Sequence, residues 1–475
     1  MSDAKPWKCT VAELVQATGG QVLSEPYKDF CRVGTDTRSD LTGKLFVPLK
    51  GDNFDAHNFV TKAVDAGATV VLVAEWRGEW DALKTKASFV KVANTLQALQ
   101  ALGLFWRRKH RFKVLAITGS NGKTSTKEFT YAILKRHLKV HASKGSFNNH
   151  WGVPLSILDA SPDQTHLILE MGMNHSGEIW RLCQISEPDI VTCTTVGRAH
   201  IGELGSQQAI AQAKEEIYVA CPKALHVFNI DNEWTMRMRA RSTATQVQFS
   251  SFKPTADIYL RAQRMNWDGL DLVGTIKGTD GQTWVHVLGR HNVVNLMCAS
   301  GLALAAGLTV EQIWAGLGLI QDSAWGRNQV VPLTNGARVL FDAYNSNPDS
   351  VQALLKNIFE IEASGRKFLV MGDMRELGTF SEQAHEEAGE RAASIPFEAV
   401  YFVGQFAKSF QKGFEKIRKG VTFLSSLKVD PNITQQLLGM LRSEDLISIK
   451  GSRGMELEHV LDGWPLSTPL GKKPG

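Results

Sequence analysis

The 475-residue sequence predicts an α/β protein of three domains. Short runs rich in Val, Ile and Leu alternate with segments of helical periodicity, the pattern of parallel sheets covered by helices. The length exceeds what one core holds, and about three domains follows from typical domain sizes. At residues 113–126, KVLAITGSNGKTST joins an apolar run to a helix through a glycine turn, the geometry that binds a nucleotide's phosphates. The expected divisions are a small N-terminal α/β domain at 1–112, a central P-loop-type ATPase domain with a mostly parallel sheet at 113–325, and a C-terminal Rossmann-like α/β domain at 326–475.

The N-terminal segment starts with Thr10 capping a helix VAELVQAT that stops at Gly19 and Gly20. A strand near 30–33, the polar cluster TDTRSDLTG, a strand KLFVPL, a helix near 56–66 and a strand ATVVLVAEW follow. Asp36 and Arg38 either read a polar ligand or form a turn held by Asx-type hydrogen bonds. A Leu- and Ala-rich helix at 94–106 leads into the next domain.

The glycine turn opens the central domain. Gly119 and Gly122 let backbone N–H groups approach phosphate oxygens. Lys123 reaches the outer phosphates, and the Thr124 hydroxyl suits Mg²⁺. Ile117 stands where the general G-x-x-x-x-G-K-[ST] motif has its first glycine, so the loop is tighter. Further on, THLILEMGMN (165–174) is a strand ending at Glu170, placed either to hold Mg²⁺ or to cap or pair locally. DIVTCTTVGRAH (189–200) carries His200 at its end, a ligand or a structural histidine. Lys214, in a helix starting about Ser206, precedes two glutamates and reads as part of a solvated face. Asn292 and Asn295 share one helix face, suited to an adenine edge or to capping.

The C-terminal segment repeats strand and polar loop four times, at ARVLFDAYNSNPDS, KFLVMGDMRELG, AVYFVGQ and LISIKGSRGME. Loops after parallel strands gather on one sheet edge, where ligands bind. Asn345, Asn347, Pro348 and Asp349 are turn chemistry. The tail at 469–475 is expected to fray.

Composition narrows the classes. Hydrophobic residues at 43% and charged residues at 21% describe a soluble globular chain. The net charge is +5 with no dense basic block, which argues against a nucleic-acid partner. Six dispersed cysteines without a CxxC pair exclude a zinc ribbon or disulfide framework and fit a reducing cytoplasm. No apolar leader or membrane-length run occurs, so no membrane insertion is expected.

The motifs TGSNGKTSTKE, FNNHWGVPLSIL (147–158), LEMGMNHSGEI, AHIGELGS, GRHNVVN and DAYNSNPDS occur in this order, and together they closely resemble the Mur ligases. These are ATP-dependent amide-forming enzymes of bacterial peptidoglycan precursor synthesis, and hence of cell shape and division. The resemblance runs from DTRSDLTGKLFVPLKG at 36–51 to KGSRGMELE at 450–458. FNNHWGVP and the YNSNP loop look like the branch that adds D-alanyl-D-alanine, and no DNPR-type motif of the diaminopimelate-adding branch is found. The resemblance implies a cytoplasmic monomer acting on UDP-N-acetylmuramoyl-tripeptide and D-alanyl-D-alanine. Another Mur-type or folylpolyglutamate-type ligase, or a non-catalytic nucleotide-binding homologue, is the alternative.

Site roles follow from the same resemblance. Gly119, Ser120, Asn121, Gly122, Lys123, Thr124 and Ser125 would bind ATP, with Asn292 and Asn295 at adenine. Arg327 and Asp342 would meet the nucleotide from the C-terminal domain. Thr124, Glu170, His200 and a carbamylated Lys214 would serve two Mg²⁺ ions. Lys123, His200, Lys214 and Arg327 would be catalytic. Thr37 and Arg38 would hold the UDP end, Asn148 and Asn149 the sugar–peptide part, and Asn345, Asn347 and Ser350 the dipeptide. Two departures stand out: TDTRS has threonine where serine is commoner, and Ala56 replaces a glycine in GDNFDAHNF.

Overall fold

The computed structural model of the chain describes residues 7–51, 54–321, 325–361 and 364–471, so the tail end at 472–475 lies outside it. The described residues pack as two compact units. One comprises those up to Ala116 with His137–Met173 and Gly177–Ile190; the other comprises Ile117–Arg136, Asn174–Ser176 and those from Val191 onward.

In the first unit, local chemistry fixes the opening helix Val11–Thr18. Thr10 Oγ1 accepts the Glu13 N–H at 3.1 Å, and Glu13 Oε2 accepts the Thr10 N–H at 3.0 Å, a reciprocal capping box. Gly19, at φ 66°, ends it. Five short strands form a sheet in the order Gln21–Ser24, Ser88–Lys91, Val70–Val73, Leu45–Phe46, Val33–Gly34, parallel except for the first pair. The single strand expected near 30–33 is two, Asp29–Phe30 and Val33–Gly34, because Arg32 turns left-handed at φ 63°. The helix expected near 56–66 begins as a 3₁₀ turn, Ala56–Phe59, before the α-helix Val60–Asp65. The helix Thr95–His110 packs on Gly152–Asp159, where a β-carbon on Gly103 would meet Pro154 Cβ at 3.0 Å.

The second unit holds two groups of strands. Leu225–Asn229, Gln246–Ser250 and Ile258–Asn266 are parallel. From there the chain folds back as an antiparallel ribbon through Gly269–Ile276 and Thr279–Val285. Lys277 and Gly278 both have positive φ, 51° and 75°, which makes the ribbon's two-residue turn of the type whose twist matches paired strands.

The last third forms a six-stranded sheet in the order Gln329–Pro332, Arg338–Asp342, Leu446–Lys450, Lys367–Gly372, Phe397–Val403, Thr422–Ser426, parallel apart from the first pair. Period-two alternation sends Leu369 and Met371 to one face, with Val351, Leu354, Ala388 and Phe410 from covering helices. Phe368 and Val370 face the other side, against Leu437, Val460 and Trp464. This sheet is buried on both sides, as a parallel sheet must be. Among the described residues no helix is long and apolar enough to cross a membrane.

Two glycines set the closest helix approach. A β-carbon on Gly389, in the helix Ser381–Ala392, would lie 2.0 Å from Phe410 O; one on Gly413, in Ala407–Glu415, would lie 1.9 Å from Glu386 O. Gly413→Ala should therefore cost about 3 kcal/mol through overpacking, read as a lower urea midpoint. Gly439→Ala, whose β-carbon would meet nothing within 4 Å, should be neutral or stabilise by about 0.5–1 kcal/mol.

Candidate active site

The strand Lys113–Thr118 is buried from Val114 onward and delivers the chain to the loop Gly119–Gly122, from which the helix Lys123–Leu134 departs. Both loop glycines are required by geometry. Gly119 has φ 145°, and a β-carbon there would lie 1.9 Å from Thr194 Oγ1. Gly122 has φ 81°, and its β-carbon would lie 2.0 Å from Asn295 Oδ1. The loop is braced from behind. Ser120 N–H donates to Thr195 O at 2.8 Å, Gly197 N–H to Ser120 Oγ at 2.9 Å, and Thr194 Oγ1 to Asn121 O.

Lys123 folds back so that Nζ donates to Gly119 O at 2.8 Å. Thr124 is buried on the first helical turn, where Arg327 Nη2 donates to its Oγ1 at 3.1 Å while the Arg327 guanidinium lies 4.5 Å from the Tyr344 ring centroid. Ser125 is half-buried beside it. Asn121 Oδ1 accepts Asn347 Nδ2 at 2.8 Å. Asn295 Nδ2 donates to Asn292 Oδ1 at 2.9 Å, and Asn292 Nδ2 to Leu288 O at 2.9 Å. The two amides thus form a fixed pair at the start of the helix Asn292–Ala306, with Asn295 against the loop.

Lys214 corrects the reading of a solvated face. On the helix Gln207–Val219 it is only 1% exposed, while its neighbours Glu215 and Glu216 are half-buried and Glu215 pairs with Arg241. Burial, reinforced by the charge of Lys123, brings the Lys214 amine down to about 7. His200 sits in a left-handed conformation, φ 63°, with Nδ1 3.0 Å from Glu376 Oε2. The His200 imidazole holds the Glu376 carboxyl below its usual range. Gly202 N–H also donates to Glu376 O at 3.2 Å, so the segment is gripped at two points.

Asp342 ends its strand paired with Lys450, Nζ to Oδ2 at 2.9 Å; the same Nζ donates to Asn345 O at 2.6 Å. Asn347 and Ser350 form a capping box for the helix Pro348–Glu360, with Ser350 N–H to Asn347 Oδ1 at 2.9 Å and Asn347 N–H to Ser350 Oγ at 3.0 Å. Here the turn chemistry expected from the sequence is what forms.

In the other unit, buried Glu170 accepts Asn148 Nδ2 on Oε1 at 2.8 Å. Asn149 Oδ1 accepts the Gly152 N–H at 2.8 Å, at the start of its helix. Arg38 is 85% exposed and chelates Asp36, whose carboxyl it holds down to about 2; Asp36 Oδ1 also accepts the Arg38 N–H at 2.9 Å. That is the Asx-type turn, with Thr37 inside it. Arg38 and Asn148 are thus held by separate partners.

Sequence reasoning missed several polar residues around these. His291 lies between Asn328 (Nδ2 to Nε2, 3.1 Å) and Asn357 (Nδ2 to Nδ1, 3.0 Å). Arg198 N–H donates to Asp349 Oδ2 at 2.7 Å. Buried Lys450 was visible only as part of KGSRG, and nothing local marks Glu376 as the partner of His200.

Among the described residues no three His, Cys, Asp or Glu side chains converge to hold a metal. The Thr124 hydroxyl, buried on the first turn of its helix, is a donor of the kind that suits Mg²⁺, which keeps waters and binds through one or two protein oxygens plus substrate phosphates.

Two family models match the chain: Mur ligase middle domain at 117–303 and Mur ligase, glutamate ligase domain at 326–453. A UDP-N-acetylmuramoyl-tripeptide–D-alanyl-D-alanine ligase of Bacillus subtilis is 33% identical over 461 residues, covering 96% of this chain and 98% of the relative. The crystal structure of MurF from Acinetobacter baumannii superposes with a TM-score of 0.86 at 29% identity, over 97% of this chain and 99% of that one. MurF ligase from Thermotoga maritima in complex with ADP gives a TM-score of 0.77 at 25% identity, over 91% and 96%.

Gly119→Ala and Gly122→Ala should each weaken ADP binding by about ten- to a hundredfold, the strain of a left-handed alanine in a braced loop. Calorimetric titration with ADP reads this, and unchanged affinity would show the loop is not the phosphate site.

Proposed function

We propose that this chain, which belongs to the Mur ligase family, joins D-alanyl-D-alanine to UDP-N-acetylmuramoyl-tripeptide. The products are the pentapeptide precursor of peptidoglycan, ADP and phosphate. The observation that carries the reading is the braced glycine loop with Arg327 on Thr124 and Asn347 on Asn121. A phosphate loop and the turn after a strand of the last sheet meet within one unit. A non-catalytic homologue would not need Lys123, Thr124 and the buried Lys214 together, and TDTRSDLTGKLFVPLKG disfavours a folylpolyglutamate-type enzyme.

The tripeptide's terminal carboxylate attacks the γ-phosphorus of ATP, the bond to the bridging oxygen breaks, and ADP leaves. Lys123 balances the charge spread over the transferring group. The neutral amine of D-alanyl-D-alanine then attacks the acyl carbon, the C–O bond to phosphate breaks, and the amine proton passes to solvent. Arg327 holds the Thr124 hydroxyl and meets the nucleotide, with Asp342 set by Lys450 behind it. Mg²⁺, which Thr124, Glu170, His200 and a carbamylated Lys214 would hold as two ions, supplies charge neutralisation at the phosphates. Gly119–Gly122 and Ser125 line the phosphates, and Asn292 and Asn295 face adenine. Thr37 and Arg38 take the UDP end, Asn148 and Asn149 the sugar–peptide part, and Asn345, Asn347 and Ser350 the dipeptide.

Residues 1–112, 113–325 and 326–475 are the domains in this reading, for UDP-substrate binding, ATP binding and dipeptide ligation. In this reading the protein is a monomer of the bacterial cytoplasm, a compartment whose reducing conditions suit its six unpaired cysteines.

Phosphate release should require UDP-N-acetylmuramoyl-tripeptide and D-alanyl-D-alanine together, with the pentapeptide product seen by mass spectrometry. Release coupled instead to a different amine would refute the acceptor assignment. Protein incubated with ¹³C-bicarbonate should show a carbamate carbon signal that Lys214→Met lacks, and this variant should lose about 10²–10³-fold in kcat, the scale of one lost transition-state charge contact. An identical spectrum from the variant would rule out a carbamate at Lys214.

A further inference from the structure

We infer that His291 is a positioning residue: through Asn328 it fixes the short turn that carries Arg327, and so holds the Arg327 guanidinium against the phosphate loop, a role that rests on the ligase reading above. Arg327 stands in the middle of the turn Gly326–Asn328, which is left-handed at both ends, with φ 68° at Gly326 and 49° at Asn328. Its side chain reaches Thr124 Oγ1 at 3.1 Å. Arginine has many rotamers to lose, so its aim depends on how firmly the backbone beneath it is held. One end of the turn is tied by the main chain, Tyr344 N–H to Gly326 O at 3.1 Å. The other end rests on buried Asn328, whose N–H donates to Asp342 Oδ1 at 3.3 Å and whose Nδ2 lies 3.1 Å from His291 Nε2.

His291 is itself well placed to act as the anchor. It immediately precedes the helix Asn292–Ala306, so its backbone belongs to the element that presents Asn292 and Asn295. Its Nδ1 lies 3.0 Å from Nδ2 of Asn357, and that same Nδ2 donates to Asn328 Oδ1 at 3.4 Å. Asn357 is buried on the helix Pro348–Glu360, ten residues beyond Asn347, which caps this helix and holds Asn121. Ten helical residues span about 15 Å, so one helix touches the phosphate loop at its start and the His291 ring near its end. The contact is close. Arg290 Nε lies 3.2 Å from Glu360 Oε2, and a β-carbon on Gly289 would lie 2.5 Å from Asn357 Nδ2.

The two ring nitrogens therefore have separate tasks. Nδ1 faces the helix Pro348–Glu360, and Nε2 faces the turn that carries Arg327. Loss of the Nε2 contact frees one end of that turn while leaving Thr124 and the loop intact, so its effect on nucleotide passes through Arg327.

The test uses full-chain variants, read by calorimetric titration with a non-hydrolysable ATP analogue and by phosphate release with ATP, UDP-N-acetylmuramoyl-tripeptide and D-alanyl-D-alanine. His291→Ala should weaken analogue binding and lower kcat, each about three- to tenfold, the worth of one net hydrogen bond. Asn328→Gly removes the amide but still adopts the left-handed backbone. It should show the same loss, even if His291→Ala folds poorly, and the double variant should lose no more than either. His291→Gln, whose amide extends to the place of Nε2, should recover most of the loss. His291→Asn, whose amide extends only to the place of Nδ1, should not. In an Arg327→Lys background His291→Ala should cost less than about twofold, because the residue it acts through is already changed. A full additional loss in that background, equal recovery by Gln and Asn, or His291→Ala values within about twofold of wild type would overturn the inference. Wild-type phosphate release that ignores D-alanyl-D-alanine would overturn the ligase reading alone, since the analogue titrations need no acceptor.

Discussion

The site depends on two missing β-carbons. Thr194 and Asn295 approach the loop so closely that any side chain at position 119 or 122 would occupy their oxygens. Because Thr194 follows a neighbouring strand and Asn295 opens a long helix, the loop's shape is set by two separate segments of the chain. Its backbone N–H groups are positioned before any ligand arrives, and a preorganised array does not have to be rearranged when charge develops on it.

Buried charge around that loop is arranged by partners rather than avoided. Lys450 lies in the interior between the Asp342 carboxylate and the Asn345 carbonyl, so one ammonium joins the end of a strand to the turn after it. Burial lowers both lysines, but the Asp342 carboxylate opposes the drop at Lys450, whereas the neighbouring Lys123 adds to it at Lys214. A lysine kept close to neutral in the interior is chemically a nucleophile, whereas Lys450 is a strut. The two show how the same side chain is directed to different ends by what faces it.

Much of this was legible in the sequence where local chemistry decides. The Thr10 cap, the glycine stops, the strand-to-helix phosphate loop and the helix starting after Ser206 all follow from residues a few positions apart. What failed was whatever depends on tertiary partners. Lys214 looked solvated because two glutamates follow it, but which face of its helix is buried is decided elsewhere. The left-handed turns at Arg32 and Lys277 are adopted by residues that carry no such preference, so no composition rule finds them. The second turn of the ribbon Ile258–Val285 was invisible for the same reason, since it reads Lys-Gly rather than Asn-Gly.

Asn347 brings these themes onto one side chain. Its oxygen caps its own helix, and its amide hydrogens hold Asn121 in the phosphate loop. An aspartate there would still cap but would set oxygen against oxygen at Asn121; a serine would cap without reaching the loop. Asparagine alone satisfies both demands. In evolutionary terms the position would be pleiotropic: a substitution that spares the helix cap would still disturb the loop, and one that spares the loop would still disturb the cap.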